Sequence, residues 1–302
     1  MFRVPRSHLT SLILEFFMLR RVLIASSLIA CVSATATAQL VRSGAGPGAT
    51  QNAFDLFRVD LGGGTVAGAN GSFGGVRREI NWDGVPAAFS APNSLTGNFF
   101  NSNSPRGAVL STPGTGFQVS GATTDALAGQ PAAANFGNIN PTYPGVFSTF
   151  SAQRLFTPVG SNITDVTFFL AGTTTAGLTR GFGSIFSDVD LANVSSIEFF
   201  DVSNASLGNF FVPNFAGAPS LSFLGVSFAT PIVSRVRIIA GNAVLGPGIN
   251  DGAQTDLVVM DDFVFGEVVA QQVTPEPATF GLLAIGIAVV GVAARRRSST
   301  SL

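Results

Sequence analysis

At 302 residues the chain has room for one large β domain or two average ones. Only 11% of residues are charged, all sixteen basic residues are arginine, and the single histidine and cysteine are His8 and Cys31; a chain that loses its N-terminus therefore keeps no lysine nucleophile, histidine base, cysteine nucleophile, disulfide or His/Cys zinc set. From Gln39 to Pro277 nine arginines stand against sixteen acids, a net charge of −7 that disfavours nucleic acid and anionic lipid.

The N-terminus carries a second start. Read from Met1, the apolar stretch from Leu9 holds Glu15 and runs into Arg20-Arg21, a costly break in a membrane-inserting segment. Read from Met18, Leu19-Arg20-Arg21 is a short basic region, Val22 to Val32 an apolar core, and Ala36-Thr37-Ala38 a small-residue cleavage site before Gln39. Residues 1–38 are thus expected to be a signal peptide that hands the chain to the Sec machinery, with Met18 as the working start. Leu28-Ile29-Ala30-Cys31 also resembles a lipobox, which leaves acylation at Cys31 open beside ordinary cleavage at Ala38.

Residues 39–75 are rich in Gly and Ala, and 41–53 and 61–75 are expected to be loops. The β domain is placed at 76–270. Seven apolar runs alternate with turn residues: Ile163–Leu170, Phe182–Val189, Ser195–Asp201, Leu207–Val212, Leu221–Phe228, Val233–Ile239 and Leu257–Phe265. That spacing predicts an all-β sandwich, to which the earlier residues add strands. No helical stripe is read outside the two ends.

Two acidic clusters invite a chemical reading. On a strand Asp188 and Asp190 would share a face and could hold a hard cation such as a structural calcium; Asp261 and Asp262 would point to opposite faces. The plainer reading is that these acids end strands, bond to turns or face solvent. A glycosidase pair would need Asp188 or Asp190 opposite Glu198 or Glu267. For carbohydrate binding the candidates are Trp82 and Tyr143, because these rings carry a polar handle that phenylalanine lacks. With 28 Phe against one Trp and one Tyr, most aromatics are expected to be core, and a buried Trp82 beside a tight Asp83-Gly84 turn is the expected role of that ring ahead of an exposed one.

The C-terminus is the most specific feature. Pro275-Glu276-Pro277 keeps the chain extended, Ala278 to Ala294 is an uncharged, mostly apolar stretch at the lower limit for a transmembrane helix, and Arg295-Arg296-Arg297 follows at once. A positive cluster beyond an apolar helix stays on the cytoplasmic side, which places the body outside. Val273 through Phe280, the helix 278–294 and the arginines, spanning 273–297, together resemble the PEP-CTERM sorting signal. The resemblance implies a membrane protease, exosortase, acting near the motif, an inner-membrane intermediate, release to the cell surface or medium, and hosts that make exopolysaccharide. Gly181–Asp188, Ser222–Phe228 and Val259–Phe263 are similar to a module of exported PEP-CTERM proteins, which implies a jelly-roll or lectin-like sandwich with no assigned activity. The expected role is a non-enzymatic surface or matrix protein associated with exopolysaccharide; a carbohydrate-binding module and a secreted glycoside hydrolase are the alternatives, and a permanent membrane anchor is the alternative for the tail.

Overall fold

Alternating apolar runs separated by turn residues bury one face each, and in the computed structural model they form antiparallel ladders. The structure describes residues 38–63, 75–122, 133–217 and 219–271, with 281 and 285–287 in the tail. In chain order the strands are β1 (Gln39–Ala45), β2 (Arg77–Ile80), β3 (Ala108–Ser111), β4 (Gly116–Val119), β5 (Phe156–Val159), β6 (Ile163–Phe168) and β7 (Gly177–Leu178). There follow β8 (Gly181–Ser187), β9 (Ser196–Phe200), β10 (Ser206–Phe211), β11 (Leu221–Phe228), β12 (Arg235–Ile239), β13 (Val259–Gly266) and β14 (Val269–Ala270). Each of the seven runs expected from Ile163 onward is a strand. One sheet has the order β1-β11-β8-β13-β5-β4 with β2 also on β13, and the other β10-β9-β12-β6-β3.

A single core cluster joins the facing surfaces of the two sheets. Phe182, Phe186, Phe263 and Phe265 of the larger sheet pack with Val166, Phe168, Phe199 and Val236 of the smaller. The all-β sandwich expected from the sequence is the fold, and phenylalanine is its principal filling. Each fully buried ring contributes roughly 1.5–3 kcal/mol.

The outer faces differ. On the smaller sheet, Arg237 stands opposite Asp165 on one side and Glu198 on the other, and Asp165 accepts from both Arg235 and Arg237. That face is polar, as expected of an antiparallel sheet turned to water. On the larger sheet a helix and a loop cover the outer face instead. The loop brings Phe136, Tyr143 and Phe147 onto Leu257 and Val259.

The helix corrects the sequence reading, which made 41–53 a loop. Residues 39–45 are β1, paired along its length with β11, and Pro47–Asp60 is helix α1. Gly46 at φ 83° turns the chain, and Pro47 opens the helix where no N–H is needed. Ala53, Phe54, Phe57 and Leu61 then form the apolar stripe that meets Ile185, Phe223 and Val264. Thr50 Oγ1 donates to the Leu221 carbonyl at 2.8 Å, and Arg42 reaches Asp60 through two bonds at 2.7 and 3.0 Å. Gly183 and Gly225 face each other across the β8–β11 ladder beneath Phe57. A Cβ on Gly225 would stand 2.8 Å from Phe57 Cγ, so the ring sits where only glycine leaves space.

Candidate functional site

Asp261 and Asp262 lie in β13, where the register with β8 slips between Met260 and Phe263. A bulge of this kind sets two residues against one and turns the strand. The opposite-face geometry expected of a regular strand is therefore replaced: both carboxylates meet the 150–151 segment. Asp261 accepts from the Phe150 N–H at 2.6 Å, and Ser151 Oγ donates to Asp262 at 2.7 Å. Burial, then the proximity of the two charges, raises Asp261 well above the usual carboxylate range; burial is likewise the first cause of the upward shift at Asp262. The bulge is closed from the other side by Trp82, whose Nε1–H donates to the Asp261 carbonyl at 2.9 Å. Asp83 accepts from the Gln153 and Arg154 N–H groups at 2.7 and 3.1 Å, fixing the same segment. This pair is a structural knot under a loop rather than a pair facing a cleft.

The second acidic cluster lies where three connections meet at the ends of β8, β11 and β13. Asp188 follows β8 directly and leaves it at φ 72°, a left-handed conformation that aspartate tolerates and a strand does not use. The strand alternation expected to align Asp188 with Asp190 is thus absent, yet a turn brings the two together and adds Asp251. One carboxylate oxygen from each of Asp188, Asp190 and Asp251 lies within 4.8 Å of the other two. Asp256 completes the surroundings and accepts from the Asp190 and Leu191 N–H groups at 3.2 and 3.0 Å. Asp190 also accepts from Gly217 N–H at 3.0 Å, and Asp251 from Leu257 N–H at 3.0 Å.

Asp188 is fully buried, and both its carboxylate oxygens lack a hydrogen-bond partner. Burial first, then the charges of Asp251, Asp190 and Asp256, push its carboxyl up to about 8. Asp256 is raised to about 6 and Asp251 is also raised, each chiefly by burial. None of the four is ion-paired to an arginine of the described residues. No strand pattern marks Asp251 and Asp256; their signal in the sequence is Asn250-Asp251-Gly252 with a further acid five residues after Asp251, an acidic turn-rich loop between two strands.

Both aromatic candidates for carbohydrate binding are buried, Trp82 as expected of a ring beside a tight turn. Trp82 is 1% exposed, stacked on Phe156 at 4.1 Å with Phe100 and Phe263 at its edges. Tyr143 is fully buried; its hydroxyl lies 3.0 and 2.9 Å from the carbonyl oxygens of Gly246 and Ile249, which share its one hydrogen, and it accepts from the Gly246 N–H at 3.0 Å. Neither ring presents a face to a sugar, because each satisfies its polar handle inside the fold. The cleft beside Trp82, lined also by Phe99, Phe100, Ser104 and Arg106, measures about 30 Å³, room for roughly two water molecules. Burial and the nearby Arg78 lower Arg106 to about 10. The acids imagined opposite Asp188 are engaged elsewhere: Glu267 is ion-paired with Arg78, and Glu198 accepts from Ser206 on the outer face of the smaller sheet.

Ala38 is exposed, directly before β1. Ala36, Cys31, Pro275, Glu276, Pro277 and Arg295 to Arg297 lie outside the described residues. Of the apolar tail, Gly281 and Ile285 to Ile287 are helical, and no helix among the described residues is long and apolar enough to cross a membrane.

Against known families, residues 273–297 match the model of the PEP-CTERM protein-sorting motif. The chain carries a PEP-CTERM sorting signal. That motif marks an exported protein handled by an exosortase, and it begins three residues after β14 ends at Ala270. No curated protein matches the chain. Among solved structures, a glycoside hydrolase family 43 arabinoxylan arabinofuranohydrolase from Bacillus subtilis, in complex with cellotetraose, is 15% identical over 50% of this chain and 24% of its own, with a TM-score of 0.25. A mutant of a family 29 carbohydrate-binding module is 13% identical over 53% of this chain and 97% of its own, with a TM-score of 0.21. At these scores neither likeness bears on what the PEP-CTERM protein binds.

Proposed function

We propose that this is a non-enzymatic β-sandwich protein, released by exosortase near Pro275-Glu276-Pro277 and displayed at the cell surface or in an extracellular matrix with exopolysaccharide. The observation that carries the reading is the sorting motif at 273–297, set immediately after a sandwich that ends at Ala270. The composition supports it, since a body beginning at Gln39 has no histidine, cysteine or lysine with which to build a nucleophile, a general base of the usual kind or a zinc site. The positions of the clustered acids support it too, because each cluster includes at least one fully buried carboxylate and braces loops.

The test is C-terminal peptide mapping of the native protein from its own host, with hydrolysis assays on the same preparation. Chains ending upstream of Ala278 are expected, together with no turnover of ester, peptide or glycoside substrates. Pro275→Ala combined with Pro277→Ala should leave membrane insertion intact and shift the population toward uncleaved chains, because the extended conformation is no longer enforced. Dominant peptides spanning Val273 to Ser298 in the native protein would leave a permanently anchored protein instead. Turnover abolished by a single carboxylate substitution would make it an enzyme.

A further inference from the structure

The acidic end of the sandwich has an electrostatic problem that the protein atoms do not solve. Asp188 is fully buried, has two unpartnered carboxylate oxygens, and faces Asp190 and Asp251. A buried carboxylate without hydrogen bonds is costly, and like charges nearby increase the cost. Two solutions exist. A proton could sit on Asp188, but it removes the charge of that residue alone and leaves Asp190 and Asp251 facing each other uncompensated. A cation at the centre satisfies all the facing oxygens at once.

The spacing suits the second solution. Opposite ligands on calcium stand about 4.6–5.2 Å apart, twice a metal–oxygen bond of about 2.3–2.6 Å, so oxygens that all fall within 4.8 Å of one another fit around one ion. The donors are all oxygen, the choice of a hard cation and not of zinc or copper. The supporting contacts resemble those of a built site, since Gly217 and Leu257 N–H groups orient Asp190 and Asp251. Asp256 holds the 190–191 backbone in place from behind.

We propose that Asp188, Asp190 and Asp251 bind one calcium ion, which fastens the connection after β8 to the connection before β13 and, through Gly217, to the one before β11. In a fold without disulfides such an ion acts as the cross-link. Sites of this type in extracellular modules bind with dissociation constants of about 10⁻⁴–10⁻³ M.

The test uses the full chain, purified in mild detergent and freed of metal with EDTA. Isothermal titration with calcium chloride should show one site per chain. Calcium at ten times its Kd should raise the Tm by roughly 3–6 °C, because it binds the folded state alone. Asp188→Asn keeps the volume and removes the charge; it should melt, without calcium, at or above the wild-type temperature and lose the calcium response. Asp251→Asn, at a half-buried position, should fold normally and weaken binding at least tenfold. A wild-type protein that takes up no calcium at millimolar concentration overturns the proposal, as does a calcium response of equal size in wild type and both variants.

Discussion

At the scale of single residues, Trp82 is the core residue expected beside the Asp83-Gly84 turn and not a surface ligand. It holds φ 62°, unusual for a bulky side chain, and the surroundings enforce it: a stack on Phe156, two edge contacts, and an N–H that reaches the carbonyl inside the β13 bulge. Trp82→Ala should therefore cost about 3–5 kcal/mol in urea unfolding followed by circular dichroism. Trp82→Phe should recover part of that loss and still fall short by about 1–3 kcal/mol, since the Asp261 carbonyl is left unpaired. A surface role would predict near-zero cost for both.

The neighbouring acids make a separate residue-scale prediction. Asp261 and Asp262 have folded-state affinities for protons above those of the unfolded chain, with Glu79 and Asp83 adding negative charge. Native protein thus binds more protons than unfolded protein above pH ~4, and stability declines as pH rises from there through neutrality. Asp262→Asn retains an acceptor for Ser151 and cannot ionise. Its Tm should exceed that of wild type at pH 8 by a few degrees and converge with it near pH 4; a difference independent of pH would exclude titration of this pair as the cause.

At the scale of elements, α1 depends on the two glycines beneath it. Gly225→Ala would place a Cβ 2.7 Å from Phe223 Cζ and 2.8 Å from Phe57 Cγ. The expected cost is about 1–3 kcal/mol by overpacking. The same substitution in a Phe57→Ala background should cost less, since the space is then vacant, and a double-mutant cycle on urea melts measures the difference. Strictly additive values would mean that the helix does not rest on Gly225.

The same elements show what can be read from sequence. From Ile163 onward the alternation of Phe182 with Gly183, or Val236 with Arg237, declares strand and face together, and the turn residues between declare the boundaries. α1 escaped because its opening, Gly44-Ala45-Gly46-Pro47-Gly48, carries turn signals, while its stripe of Ala53, Phe54, Phe57 and Leu61 is short and lies against a Gly-rich continuation. The bulge at Asp261–Asp262 escaped for a different reason. It is a mismatch with β8, a property of two strands, and no single-strand pattern contains it. Asp251 and Asp256 join Asp188 only because separate connections end at one edge of the sandwich.

At the scale of the molecule, the composition is consistent throughout: no described disulfide, an interior filled with phenylalanine, six arginines (42, 58, 77, 78, 235 and 237) ion-paired with nearby carboxylates, and a net charge of −7 between Gln39 and Pro277. The order of strands adds a constraint in time. β1 begins at Gln39 and its partner across the ladder is Phe228, so the outermost strand of the larger sheet waits for almost the whole sandwich to be made. At a synthesis rate of about 5–20 residues per second, the roughly 190 intervening residues take about 10–40 s. Throughout that interval β1 has no ladder partner, and only α1 beside it can supply native contacts such as Arg42 to Asp60. Closure by β1 is thus a long-range pairing that completes the larger sheet late, the class of contact that slows folding, and an exported chain with such wiring is expected to reach its final sheet only after its last strands are available.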